Sequence, residues 1–270
     1  MKKLSTQEMG SLLINKQFYN IIVENVVDST NNVVKDMANG GEKEGLVFIA
    51  HHQTAGKGRL GRTFHSPADT GLYMSVLFRP SLVGERVTLF TTAASLAVCK
   101  AIREVTSKNA SIKWVNDILI NNKKVCGILT EGKINPSDGK MEYVIVGIGI
   151  NIEKPKEGFP EDISDIASSI VKNSDEKLLD DNLKNKLAVK ILDNLYYYYI
   201  EKKLDATVIR DEYITYSNTI GKDIYIIAGD KKEEAKAIGI DNDLGLIVKN
   251  NNGTKTLSSG EISIRELKKK

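Results

Sequence analysis

Between residues about 111 and 150, three apolar runs follow one another with only turn chemistry between them, and this limits the fold more than any other feature. The runs cover about 111–120, 124–130 and 142–150. Asn121-Asn122-Lys123 reads as a hairpin turn, and Asn135-Pro136-Ser137-Asp138-Gly139 separates the second run from the third. Successive hairpins build a mixed or antiparallel sheet and exclude a doubly wound one. Further strands are expected at Phe18–Val27, at about 46–50 and at Leu72–Phe78. Asp28-Ser29-Thr30-Asn31 offers caps for a helix running to about Ala38, with Gly40-Gly41 as its stop. From about Glu85 to Val105, Leu89, Ala93, Leu96, Cys99 and Ile102 recur at three- and four-residue steps, which predicts a helix lying on the sheet. Three more helices are predicted at about 164–172, 179–203 and 205–217, and the Tyr196–Tyr199 run is read as packing on the second of them. Met1 to Gln17 carries little signal.

Asn218–Gly221 marks a boundary. Five short strands follow, Asp223–Ala228, Glu233–Gly239, Gly245–Val248, Lys255–Leu257 and Ile262–Ile264, broken by Gly-Asp, Asn-Asp and Asn-Asn-Gly turns. That spacing predicts a small β-barrel. The expected class is therefore α+β: a mixed or antiparallel sheet with flanking helices over 1–217, then a small barrel over 218–270.

The chemistry concentrates in Gln53–Pro67. Gly56, Gly58 and Gly61 alternate there with Lys57, Arg59 and Arg62, directly after the apolar run Leu46–Ala50. Glycine permits close backbone approach to a ligand, and the cations can neutralise phosphate or carboxylate oxygens. Gly56-Lys-Gly-Arg-Leu-Gly61 matches the dinucleotide fingerprint letter for letter, and Gly56–Thr63 misses a Walker A loop by one residue. Both motifs need a helix to open after the glycines. Phe64-His65-Ser66-Pro67-Ala68-Asp69-Thr70-Gly71 is turn-like, so both matches are accidental. The segment is read as a loop closing over an anion.

Two other stretches stand out. Lys113-Trp-Val-Asn-Asp117 puts a lysine in an apolar strand, where burial demands an anionic partner. Alternation assigns Lys113, Val115 and Asp117 to one face, and Trp114 with Asn116 to the other. Residue type alone leaves open whether Lys113 serves a site or snorkels to solvent. Val146-Gly147-Ile148-Gly149-Ile150-Asn151 has glycines where strand side chains normally pack, which signals a close approach or tight packing.

A net charge of +3 implies no general nucleic-acid surface. Cys99 and Cys126 lie in apolar runs and read as buried thiols of a reducing compartment. No run approaches the ~20 apolar residues of a membrane span, and Met1–Gly10 has no apolar signal core, so a cytoplasmic protein is expected.

Taken together, Asp28-Ser-Thr-Asn31, Gln53–Arg62, Lys113–Asp117, Gly127-Ile-Leu-Thr-Glu131 and Gly147–Asn151 resemble, in order and spacing, the motifs of biotin–protein ligases. The terminal segment, with Gly239-Ile-Asp241 and Ser259–Ser263, resembles that family's C-terminal domain. The resemblance implies a class II synthetase-like catalytic domain and an SH3-like barrel. It implies that biotin and ATP, accompanied by Mg²⁺, give biotinyl-5′-adenylate, which is then attacked by a lysine of a biotin carboxyl carrier domain. Ser29, Thr30, Asn31 and Gln53 would contact the biotin rings. Lys57, Gly58 and Arg59 would wrap the carboxylate and phosphate, and Lys113 would bridge the two. Gly56, Arg62, Phe64, Asn116 and Asn151 fall on the nucleotide side. No metal ligands are assigned, and Asp117 is one candidate base for the incoming lysine. The resemblance also allows a homodimer.

Lys57 stands where arginine is frequent, Leu60 where a cation is common, Phe64 where tryptophan is usual and Val115 where proline is frequent. Lys57 keeps charge without the bidentate fork, so weaker adenylate retention is expected. A lipoate ligase is disfavoured because its Gly-Gly-Gly run is absent. A DNA-binding repressor is not expected, because the residues ahead of Asp28 are too few for a helix-turn-helix.

Overall fold

Seven strands pair in the order β1-β2-β3-β7-β6-β5-β4 in the computed structural model, which describes residues 4–84, 86–171, 180–229, 231–258 and 263–266. They are β1 (Asn20–Val27), β2 (Leu46–Gln53), β3 (Gly71–Phe78), β4 (Ala110–Lys113), β5 (Asp117–Ile120), β6 (Lys123–Ile134) and β7 (Met141–Asn151). Only β1 and β2 run parallel, joined through the helix α2 (Thr30–Asn39); every other pair is antiparallel. The sheet is therefore mixed, as the hairpin succession predicted.

The two faces are covered unequally. On one face lie α3 (Val87–Thr106), α4 (Leu183–Tyr196) and α5 (Ala206–Tyr216), with α3 packed against α4, α5, β6 and β7. Ala94, Leu96, Ala97, Val98, Cys99 and Ala101 are all fully buried, because α3 is sandwiched between sheet and helices. Burial pushes the Cys99 thiol up to about 12, so it stays a neutral core group. On the other face α2 sets Val34 and Ala38 against Leu46, Phe48, Leu77 and Ile145. That helix covers one end of the face and leaves the other to loops.

Several local expectations change. The run about 111–120 is two strands, not one: Lys113 pairs with Asp117 across a turn at 114–116. Trp114 and Asn116 therefore do not share a strand face. Residues 164–171 form turns and one bridge to Lys124 instead of a helix; residue 172 lies outside the described residues. The helix predicted from about 179 begins at Leu183 and ends in a wide turn over Tyr197–Glu201. An additional helix, α1 (Thr6–Leu12), is capped by Ser5 and held to α4 by the Ser5 N–H donating to Asn185 Oδ1 at 3.0 Å. Its one buried residue, Met9, is too little apolar content to mark a helix in sequence.

The C-terminal strands β8 (Asp223–Ala228), β9 (Lys231–Ile240), β10 (Leu246–Asn250), β11 (Gly253–Leu257) and β12 (Ser263–Glu266) form an antiparallel sheet in the order β11-β10-β9-β8-β12. Among the described residues no ladder joins β11 to β12, so the small SH3-like unit is an open sheet rather than a closed barrel. Residues 259–262 of the Ser259–Ser263 motif and the Lys268–Lys270 tail lie outside the described residues.

Met74 stands mid-sheet on β3 and is fully buried against the helical layer. Met74→Ala is expected to cost about 2–5 kcal/mol, read as a lower denaturation midpoint.

Candidate functional site

On the α2 face the middle strands of the sheet carry glycines. Glu24, Ala50, Tyr73, Gly149, Gly127, Asp117 and Lys113 stand opposite one another across all seven strands, so they share that face. Gly147 lies one step along β7 toward α2. A methyl group at Gly147 would sit 2.1 Å from Asn31 Oδ1, and one at Gly149 would sit 2.5 Å from the Phe64 ring. The close approach signalled by these glycines is thus made by two side chains of the chain itself, resting on bare backbone.

The N-terminus of α2 forms one wall. Ser29 is the N-cap residue but its side chain makes no capping bond. The Thr30 N–H donates to Gln53 Oε1 at 2.9 Å, and Gln53 Nε2 donates to Ser66 Oγ at 2.9 Å. Ser75 Oγ lies 2.7 Å from Thr30 Oγ1 and 2.6 Å from Asn31 Oδ1, while Asn31 Nδ2 donates to Glu131 at 2.6 Å. The carboxylate accepts only, so it fixes which way the Asn31 amide faces. No buried side-chain polar atom among the described residues lacks a partner, and such a satisfied network holds its members in one arrangement.

The glycine-rich segment forms the opposite wall as a short hairpin. Phe64 N–H donates to Gly56 O at 2.8 Å, Gly58 N–H donates to Arg62 O at 2.7 Å, and Lys57 pairs with Thr63. Its tip is a single 3-10 turn over Arg59–Gly61, with no α-helix opening after the glycines. That geometry excludes both phosphate-loop motifs. The base is pinned to the end of β1: Thr54 N–H donates to Val27 O and Ala55 N–H to Asp28 O, at 2.9 and 2.8 Å.

Each cation is held in place. The Lys57 ammonium donates to Asn32 Oδ1, and the Asn32 amide donates to the Asp28 carboxylate. That Asn32 bond, with the Ser29 N–H and the Lys57 charge, holds the Asp28 carboxyl below its ordinary range. Arg59 Nη1 donates to Asn116 Oδ1 at 3.1 Å, and Asn116 Nδ2 donates to Ile128 O at 2.8 Å. Burial pulls the Arg59 guanidinium below its usual value, against the opposing charge of Asp117. Lys124 Nζ lies 2.6 Å from Asp117 Oδ1.

Ser29, Thr30, Asn31 and Gln53 from one wall, and Lys57, Gly58, Arg59, Phe64 and Asn116 from the other, line a single cavity. Four predicted residues do not. Gly56 and Arg62 border a cleft that also touches Leu129 and Glu131. Asn151 turns its amide to Ser168 O at 3.1 Å. Lys113 sits half-buried at the end of β4, opposite Asp117, and the lysine that lines the cavity is Lys124.

Lys124 was not legible from alternation, which pairs it with Cys126 and Ile128 on the helical face. The register explains why. Ile118 pairs with Cys126 but Leu119 pairs with Lys124, so Val125 is an extra residue and β6 is bulged there. A bulge re-aims the side chain beside it, and a methyl group at Gly127 would meet Lys124 Nζ at 3.0 Å. The bulge is held from outside, since Lys124 N–H donates to Ile166 O at 2.7 Å and Ser168 N–H to Lys124 O at 2.8 Å. The only sequence hint was a lysine pair just ahead of Gly127.

Three cations thus surround a cavity whose floor is glycine. Such a site brings two anions together and offsets their repulsion.

The sequence matches the Biotin/lipoate A/B protein ligase family over residues 23–151 and the Biotin protein ligase C terminal domain over 219–265. It is 31% identical over 261 residues to the bifunctional ligase/repressor BirA of Bacillus subtilis, covering 97% of this chain and 76% of that one. Among solved structures, the biotin protein ligase from Aquifex aeolicus in complex with biotin and ATP superposes with a TM-score of 0.72 at 28% identity, over 92% of this chain and 99% of that one. A biotin protein ligase from Leishmania major in complex with biotinyl-5-AMP gives 0.57 at 27% identity, over 89% and 99%.

Gly147→Ala forces the methyl group against Asn31 and breaks the Ser75–Asn31–Glu131 contacts. It is expected to lower stability by about 1–3 kcal/mol, measured by thermal or chemical unfolding; an unchanged midpoint would show that Asn31 does not need this floor.

Proposed function

The chain belongs to the biotin–protein ligases of the biotin/lipoate A/B protein ligase family, and on that premise we propose that it joins biotin to ATP as biotinyl-5′-adenylate and passes the acyl group to a lysine of a biotin carboxyl carrier domain. The observation that carries this reading is the convergence of Lys57, Arg59 and Lys124 on one glycine-floored cavity. Condensing a carboxylate with a phosphate requires two anions to meet, so fixed cations must lie where charge builds up.

In this reading the Ser29, Thr30, Asn31 and Gln53 wall receives the polar ring system of biotin through its hydroxyls and amides. Lys57, Gly58 and Arg59 flank the carboxylate and the α-phosphate. Lys124 takes the bridging role that the resemblance implied for Lys113, because it is the lysine on the cavity wall. Lys113 then acts from the edge, beside Asp117. Phe64 stands over Gly149 and Gly127, edge-on to Tyr73 at 6.4 Å between centroids, and offers an aromatic surface to the adenine. Asn116 acts by holding Arg59, while Gly56, Arg62 and Asn151 act on the nucleotide from outside the cavity. The adenylate is prone to hydrolysis, and the hairpin above it excludes water.

Mg²⁺ bound to the triphosphate would neutralise phosphate charge. Mg²⁺ keeps much of its coordination to phosphate oxygens and water, so no protein ligands are assigned to it. We take 1–217 as the catalytic unit and 218–270 as an appended one. Both cysteines are free and buried, in keeping with a cytoplasmic setting, and no helix among the described residues is long and apolar enough to cross a membrane.

With biotin, ATP, Mg²⁺ and a carrier domain, the carrier is expected to gain the mass of one biotinyl group. Lys124→Ala should slow pyrophosphate release by about 10²–10³-fold, and Lys113→Ala by less. Full activity in Lys124→Ala would refute the assignment, and an unlabelled carrier with no pyrophosphate would refute the ligase reading.

A further inference from the structure

Trp114 is two residues from Asn116 but faces away from the cavity, into the C-terminal sheet. Its backbone N–H donates to Thr219 Oγ1 at 2.9 Å, and its indole Nε1–H donates to Leu244 O at 3.3 Å. The ring is 4% exposed. Residues leading into the C-terminal sheet also cover the free edge of β4: Ser217 bridges Ile112 in parallel, and Asn218 N–H donates to Ile112 O at 2.7 Å. On the helical side, Ser95 Oγ and Tyr213 OH both donate to Val115 O, at 3.0 and 3.3 Å. The turn at 114–116 is thus held from behind at each residue that does not face the cavity.

The acceptor of the indole bond is itself unusual. Leu244 has φ +65°, a left-handed conformation that a branched side chain adopts only when its surroundings impose it. Asp241 imposes it: its carboxylate accepts from Asp243 N–H at 2.9 Å and Gly245 N–H at 2.8 Å, while Leu244 N–H donates to Asp241 O at 3.1 Å. Leu244 is 2% exposed and locked by this capped turn, with its carbonyl turned to Trp114. Asp241 is the residue that closes the Gly239-Ile-Asp241 motif, for which the catalytic reading has no use.

We propose that the Asp241–Gly245 turn of the C-terminal sheet is a positioning element for the site, acting through Trp114 on the backbone that presents Asn116, and through Asn116 on Arg59. The inference rests on the ligase reading for its kinetic consequence. Its structural part does not. Rotating the 114–116 turn would carry Asn116 Oδ1 off the guanidinium, since the two bonds that Asn116 makes to Ile128 belong to a different strand. Arg59 lies at the hairpin tip, and Asn116 reaches it from outside the hairpin.

Two variants loosen the link with little loss of packing. Trp114→Phe removes the indole donor, and Asp241→Ala removes the side-chain cap from the turn; Asp241→Asn retains the accepting oxygen. In hydrogen exchange on the protein without substrates, residues 113–117 should exchange about tenfold faster in Trp114→Phe and Asp241→Ala, and at the original rate in Asp241→Asn. In pyrophosphate release with biotin and ATP, both loosened variants should be about fivefold slower, with Asp241→Asn restored. Combined with Asn116→Ala, neither should slow the reaction more than about twofold further. Unchanged exchange at 113–117, or a full fivefold loss again in the Asn116→Ala background, would overturn the proposal. A parent protein that releases no pyrophosphate would instead sink the ligase reading, leaving the exchange measurement to decide the positioning claim.

Discussion

Mutual repulsion of cations is the constraint that the site is built around. Lys57, Arg59 and Lys124 border one cavity, and unrestrained flexible side chains would swing apart into water. Each is held by a different device: Lys57 by an amide itself held by Asp28, Arg59 by Asn116, and Lys124 by the Asp117 carboxylate. The last is a direct ion pair. Neutral amides orient the first two, and an amide holds a cation without cancelling its charge. The arrangement is ordered yet remains positive, as a receptor for two anions must be.

The glycine floor and the polar wall belong to the same solution. Gly147 and Gly149 let Asn31 and Phe64 touch backbone, so the cavity is shallow over the sheet and closed at its sides. The Gln53–Thr30–Ser75–Asn31–Glu131 chain then fixes the α2 terminus against the sheet without leaving a buried polar atom unsatisfied. A helix packed over only one end of a sheet face makes this possible. The apolar half of α2 anchors on Leu46, Leu77 and Ile145, and its polar start is left at the rim of the cavity.

The placing of Lys124 shows how far the site depends on distant backbone. A single extra residue in β6 turns that lysine from the helical face to the cavity, and the strand-like pairing with 166–168 keeps it there. The Lys113–Asp117 turn is held comparably from behind, by α3, α5 and the C-terminal sheet. Both sides of the Lys124–Asp117 pair are therefore set by segments that do not touch the cavity.

The sequence by itself determined most of the element types and much of the composition of the site. Turn residues between apolar runs specified hairpins, hence a mixed sheet, and the glycine–cation alternation and the glycine pair in β7 announced a loop and a floor. These signals are local, because turn propensity and close approach depend on the residue present. Tertiary structure decided which side chains meet. Alternation assumes an unbroken strand, so it carried Trp114 and Asn116 together through what is a turn and offers no way to see that a bulge aims Lys124 at the cavity. It also could not foresee that 164–171 would pair with a strand, since that pairing repays backbone groups only once β6 is already folded. Bulges and long-range pairing are settled by hydrogen bonds between segments far apart in the chain, and no window of residues contains both partners.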